Sequence, residues 1–178
     1  TARDAPSVPV SGRAFDRRQI VPAAFIVLFF VSSIALFSVI RGPLIEKNGW
    51  NEATVMLAYS VFQTVMALTG IFAGRITDRI GPPRNVILLS GVVYGGAGWF
   101  LTGLVESVAL LYISFGLIAA IGNGLGYNPA LTTGQRWFPP DRRGQISGIL
   151  LAGSTLGPAV LSPFAASFLI PRFGISTA

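Results

Sequence analysis

Five stretches of this chain run for at least twenty residues without Asp, Glu, Lys or Arg: Ile20 to Ile40, Ala53 to Gly74, Asn85 to Leu104, Val108 to Thr133 and Gln145 to Ile170. A helix rises about 1.5 Å per residue, so about twenty residues cover about 30 Å, the hydrocarbon thickness of a bilayer. Inside lipid, backbone amides and carbonyls find partners only within a helix or a closed barrel. A water-soluble bundle of five such helices would have no charged face to turn to solvent. The expected fold is therefore an all-α membrane protein with five transmembrane helices.

The rest of the composition narrows the function. Of 178 residues, 52% are hydrophobic and 11% charged, so the lipid bilayer is the expected surroundings. Cysteine and histidine are absent, which removes the usual zinc and thiol ligands and the commonest general base. No metal, no cofactor and no catalytic residues are expected, because the sequence offers no paired nucleophile and base. The net charge of +6 raises the question of nucleic acid. The basic residues, however, sit in short segments between apolar runs, without the interleaved aromatics of a single-strand binder, so no nucleic-acid partner is expected.

Residues 1–19 are polar, with Pro6, Pro9, Ser7 and Ser11, and read as a disordered cytoplasmic tail; residues 20–178 read as one transmembrane bundle. The first apolar run is longer than the core of a cleaved signal peptide and lacks a small-residue cleavage site, so it is expected to stay in the mature protein. Basic residues divide unevenly between alternate connections. Arg3, Arg13, Arg17, Arg18, Arg75, Arg79, Arg84, Arg136, Arg142 and Arg143 fall on one side, and Arg41, Lys47 and Arg172 on the other. Ten against three places the N-terminus in the cytoplasm of a multi-pass protein of the cell (inner) membrane.

Helices in lipid associate where small residues let backbones approach. Glycine pairs four apart occur at Gly70/Gly74, Gly91/Gly95, Gly122/Gly126 and Gly153/Gly157, one in each of helices two to five, and predict a tight bundle. Asn128-Pro129, Gly157-Pro158 and Pro163 interrupt the apolar runs of helices four and five. Broken helices of that kind often flank transporter sites, although a simple packing kink explains them equally well.

The sharpest motif is Gly74-Arg75-Ile76-Thr77-Asp78-Arg79-Ile80-Gly81-Pro82-Pro83-Arg84, between helices two and three. Gly81 suits a reversal, the two prolines end the helix, and Asp78 can accept from arginine or sit at a helix N-terminus. The pattern and its position resemble the G-x-x-x-D-R-x-G-x-x-R signature of the major facilitator superfamily, with the usual terminal basic pair reduced to Arg84 followed by Asn85. The resemblance implies five helices of a six-helix half-bundle, with the sixth helix and the C-terminal half of the transporter absent from this sequence. It also implies that Gly74, Asp78, Arg79, Gly81 and Arg84 serve the conformational cycle and not substrate contact.

Gly42-Pro43-Leu44-Ile45, Asn48-Gly49-Trp50-Asn51 and Gly122-Asn123-Gly124-Leu125-Gly126-Tyr127-Asn128-Pro129 are similar to the oxalate/formate antiporter and monocarboxylate transporter branch of that superfamily. The implied function is secondary transport of a small organic anion, a monocarboxylate or dicarboxylate, by alternating access. A drug or sugar transporter, or a non-transporting sensor or assembly partner with the same fold, are the alternatives. All five uncharged runs lack Asp, Glu, Lys and Arg, so a cation for an anionic substrate is expected to come from the second half. The substrate-binding candidates are then neutral: Gln63 and Tyr59 on helix two, Asn123, Tyr127 and Asn128 on helix four, and Ser33 and Phe37 on helix one. Such polar groups in lipid are expected to point inward, either to ligand or as glue between helices.

Overall fold

A computed structural model describes residues 17–80, 84–136 and 138–169, with side chains over 21–75, 86–136 and 138–167. Among the described residues there are helices and no strands, and five helices are long and apolar enough to cross a membrane. We label them α1 (Val21–Asn48), α2 (Glu52–Arg75), α3 (Val86–Gly103), α4 (Val108–Arg136) and α5 (Pro140–Ser167). Large apolar side chains such as Phe30, Ile71, Phe72, Leu88, Val92 and Phe100 point out of the bundle, as they must where the solvent is lipid.

Short connections with local caps set the helix ends. Gly49 adopts the left-handed conformation (φ 65°) and donates to the Ile45 carbonyl at 2.8 Å, which stops α1. Asn51 Oδ1 accepts from the Ala53 amide at 2.9 Å, and Glu52 then opens α2. Ser107 Oγ accepts from the Leu110 amide at 3.3 Å at the start of α4. Pro140 and Asp141 occupy the first turn of α5, where a missing N–H costs nothing and a carboxylate complements the helix dipole.

The helices extend beyond the uncharged runs. Helical structure begins at Arg17, inside the segment read as an irregular tail, and residues 1–16 lie outside the described residues. The first helix continues past Ile40 through Arg41 and Pro43 to Asn48. Charge marks where a helix leaves the hydrocarbon core, not where its backbone hydrogen bonds end. Helix two likewise continues to Ile80 and helix five starts at Pro140. The Asp78 loop is only partly described: Gly81 lies outside the described residues, as do the side chains of Asp78, Arg79 and Arg84.

Helix α4 is the centre of the bundle and packs on all four others. A Cβ on Gly124 would lie 2.7 Å from the Met66 carbonyl of α2, and one on Gly98 of α3 would lie 2.6 Å from Ala119 Cα. Gly122 and Gly126 lie against Tyr94 and Ser90 of α3, and Asn123 bonds to α1. Gly134 meets Leu150 of α5. Helix α5 in turn lies on α1, with Gly153 against Phe25 and Gly157 against the Phe29 carbonyl.

Two of the four glycine pairs are thus close helix contacts. Gly70 meets Asn128, but Gly74 meets nothing within 4 Å. Gly91 and Gly95 also face open space, beside a cavity between α1 and α3, so the expectation of a contact there is not met within this chain.

The proline expectation is corrected as well. Pro129 sits inside the α-helix Ala120–Arg136, and Pro158 and Pro163 sit inside Pro140–Phe164, with no break. The freed carbonyls lie in helices that protein surrounds on one side, which is where proline is tolerated. Irregular geometry appears at Ser32–Leu36, a 3-10 turn, and at Val92–Trp99, Tyr112–Ala119 and Ala165–Leu169, three π segments; none of the four contains proline, though the last begins two residues after Pro163.

Two cores stack along the bundle. The one toward the start of α1 joins Ala24, Leu28, Ala130, Ile146 and Leu150. The other is built on an aromatic stack across three helices. Phe37 of α1 lies between Tyr59 of α2, with centroids 6.0 Å apart, and Phe115 of α4 at 4.1 Å. Phe62 of α2 lies 4.8 Å from Phe115 on another side.

Candidate functional site

The polar centre of the bundle is Asn123. A lone amide in lipid must find partners, and its position on the central helix puts it beside the irregular turn of α1. Its Nδ2 donates to the Val31 carbonyl at 2.7 Å, and the residue is 1% exposed. Val31 closes the first α-helical part of α1, and the 3-10 turn Ser32–Leu36 follows directly before α-helix resumes at Phe37. A carbonyl has two lone pairs, and at such a junction the second is open to a donor from outside the helix. Asn123 supplies that donor.

Two residues further along α1, Ser33 Oγ lies 3.0 Å from the hydroxyl of Tyr94, on α3. Tyr94 packs edge-on against Trp99, with centroids 6.2 Å apart, and Trp99 meets Phe115 at 5.9 Å. Ser90 Oγ donates to the Gly122 carbonyl at 2.6 Å, tying α3 to α4 beside Asn123. Trp99 Nε1 and Asn123 Oδ1 are buried without a hydrogen-bond partner among the described residues. A cavity of about 430 Å³ opens between α1 and α3 above this cluster, with Ser33, Ser90, Tyr94 and Trp99 as its polar or amphipathic lining.

The expected site residues do not form one pocket. Ser33 and Asn123 belong to the same cluster at the 3-10 turn of α1. Phe37 and Tyr59 belong to the aromatic stack, Phe37 buried and Tyr59 half-buried. Tyr127 is half-buried against the core around Ala24 and Leu28, and Asn128 packs on Gly70 of α2. Gln63 is exposed, contrary to the expectation that it points inward. Helix α2 uses Val55, Ala58, Phe62 and Ala73 as its buried face, and Gln63, one residue on from Phe62, is turned about 100° away from it.

Three residues of α3 were not among those expected: Ser90, Tyr94 and Trp99. The signal was present in Val92-Val93-Tyr94-Gly95-Gly96-Ala97-Gly98-Trp99, where two amphipathic aromatics stand among four small residues that let a neighbouring helix approach. Arg41 was read as part of a connection, yet it lies within α1, almost two turns before the helix ends. The neutral centre suits hydrogen bonding and shape selection, not proton transfer. Among the described residues no group of three or more His, Cys, Asp or Glu could hold a metal ion.

The description Major Facilitator Superfamily matches residues 20–178 of the chain. The oxalate:formate antiporter of Oxalobacter formigenes is 35% identical over 127 residues, covering 71% of this chain and 29% of that protein. An uncharacterized MFS-type transporter of Escherichia coli, YhjX, is 29% identical over 129 residues, covering 72% and 31%. Apicoplast pyruvate carrier 1 of Toxoplasma gondii is 31% identical over 140 residues, covering 79% and 24%. The chain therefore spans between 24% and 31% of the length of these three relatives. With its match from the first span to the last residue and its five apolar helices, the chain belongs to the major facilitator superfamily and is a multi-pass membrane protein.

Proposed function

We propose that this bundle is the N-terminal part of a secondary transporter for a small monocarboxylate or dicarboxylate, working by alternating access with a second half that completes the pathway. The observation that carries this reading is the similarity, across 71% and 79% of this chain, to an oxalate:formate antiporter and a pyruvate carrier. Two features of the bundle support it. Its interior is neutral, built of amide, hydroxyl and aromatic groups, so it offers an anion hydrogen bonds and leaves charge neutralisation to the second half. The exposed face of α2 with Gln63 offers a polar contact on the outside of the five-helix bundle, where a second half would meet it.

In this reading Gln63 and Tyr127 touch substrate. The Nδ2 of Asn123, the hydroxyl of Ser33 and the ring of Phe37 make their contacts inside the bundle and hold the shape of α1. The host membrane is the cell (inner) membrane, with the N-terminus in the cytoplasm, in line with the ten-to-three distribution of basic residues.

The test is uptake of labelled oxalate, formate and lactate into proteoliposomes containing the transporter with its second half. Saturable uptake of at least one, competed by the others, is the expected result. Uptake of a sugar or a cationic drug with no carboxylate transport would overturn it. Residues 1–178 alone should show no saturable uptake, because a pathway between two halves cannot form from one.

A further inference from the structure

The connection between α1 and α2 carries a second cavity, of about 180 Å³, at the end of the bundle opposite the start of α1. It is lined by Ala35, Phe37, Ser38 and Arg41 of α1 and by Met56 and Tyr59 of α2. Arg41 is the sole charged lining residue. It stands on the same face of α1 as Phe37, one turn away, above the aromatic stack that joins α1, α2 and α4.

The guanidinium is held loosely. Its Nη1 lies 3.5 Å from Glu52 Oε1, long for a charge-assisted hydrogen bond, and donates to the Met56 sulfur at 3.2 Å, a weak acceptor. The Arg41 and Glu52 side chains are 39% and 65% exposed, so water screens their attraction. Five N–H donors in a planar fork can therefore turn to another carboxylate without breaking a strong bond. Beside them stand the Ser38 hydroxyl, which already donates to the Ala35 carbonyl at 2.6 Å and keeps its lone pairs, and the half-buried Tyr59 ring. An arginine with a resident but replaceable carboxylate, at the rim of a small cavity with an aromatic floor, matches a small carboxylate in charge, fork geometry and size.

The geometry points to an outer anion subsite at Arg41, where a small carboxylate displaces Glu52 and lies against Tyr59 before it moves inward. This inference rests on the carboxylate-transport reading above and adds to it a place and a sequence of contacts. Glu52 is then a competitor that keeps the subsite reversible, a positioning residue rather than a ligand contact. Gln63 is one turn beyond Tyr59 on α2, so the subsite leads along the same helix toward the proposed substrate face.

The test measures KM and maximal rate in oriented proteoliposomes of the whole transporter, with labelled oxalate supplied on each side separately. Arg41→Gln should raise KM about tenfold on the α1–α2 side, the effect of losing one charge-assisted contact, and leave the opposite side within about twofold. Arg41→Lys should fall between, because charge is kept and the fork is lost. Glu52→Gln should act in the other direction and lower KM about two- to threefold on that side alone. This arm keeps the idea testable if Arg41→Gln fails to insert. Unchanged KM in both Arg41→Gln and Glu52→Gln, with normal wild-type uptake, would overturn the subsite and leave the transport reading standing. Absence of carboxylate uptake by the wild type would overturn both.

Discussion

Asn123 shows how one side chain is committed when there is no water to compete for it. Its donor goes to Val31, where α1 tightens from α to 3-10 geometry, so the amide braces an irregular turn across the helix interface. Replacement by Ala removes that donor but leaves Val31 its place in the helix. The expected loss is about 1 kcal/mol, the scale of interhelical hydrogen bonds in membranes. Unfolding of the purified protein in detergent measures it. A shift under about 0.3 kcal/mol would mean that the bond contributes nothing. Asn123 was legible in the sequence as a polar residue that had to face inward, because it stands near the middle of an uncharged run with glycine on either side. Its partner was not, since a backbone carbonyl carries no sequence signal. Gln63 shows the reverse: its position at mid-helix was plain, but which face of α2 is buried depends on Phe62, Ala58 and Val55 meeting α4, a contact that a single helix does not encode.

At the scale of helices, close backbone approach decides which glycines matter. A methyl group on Gly157 would run into the Phe29 carbonyl, whereas one on Gly148 of the same helix meets nothing within 4 Å. Gly157→Ala should therefore cost about 1–3 kcal/mol by overpacking the α1–α5 contact. Gly148→Ala should be neutral or stabilising by up to about 1 kcal/mol, as alanine favours the helix. The same detergent unfolding assay compares them, and equal effects would show that the α1–α5 spacing is not set by glycine. The five helices and their order could be read from uncharged runs, since length and polarity in lipid leave few choices. Their ends could not. Arg41 and Pro43 suggest a stop after Ile40, but helical bonding continues until Gly49, whose left-handed conformation ends it. The irregular turns also escaped the sequence: Val92–Trp99 and Tyr112–Ala119, which meet at Gly98 and Ala119, contain no proline to mark them.

For the whole molecule, labelling from one side of the membrane reads out the proposed orientation. Residues 1–178 contain no cysteine, so single cysteines placed among them report sidedness without competing thiols from this bundle. Cysteines at Ser7, Thr77 and Gln135 should resist an impermeant thiol reagent in intact cells, and one at Asn48 should react. The opposite pattern would reverse the proposed orientation, and with it the face on which Arg41 receives substrate.

The glycine-to-carbonyl contacts at Gly124 with Met66 and Gly157 with Phe29 also bear on how the bundle responds to temperature. Cohesion in a water-soluble core comes largely from releasing water from apolar surface, and it weakens on cooling with a large heat-capacity signature. Helices already in lipid release no such water when they meet; close van der Waals contact between backbones holds them. Parting α1 from α5 therefore lacks the hydration heat capacity that bends the stability curve of soluble proteins, and cooling alone gives the two helices no reason to separate.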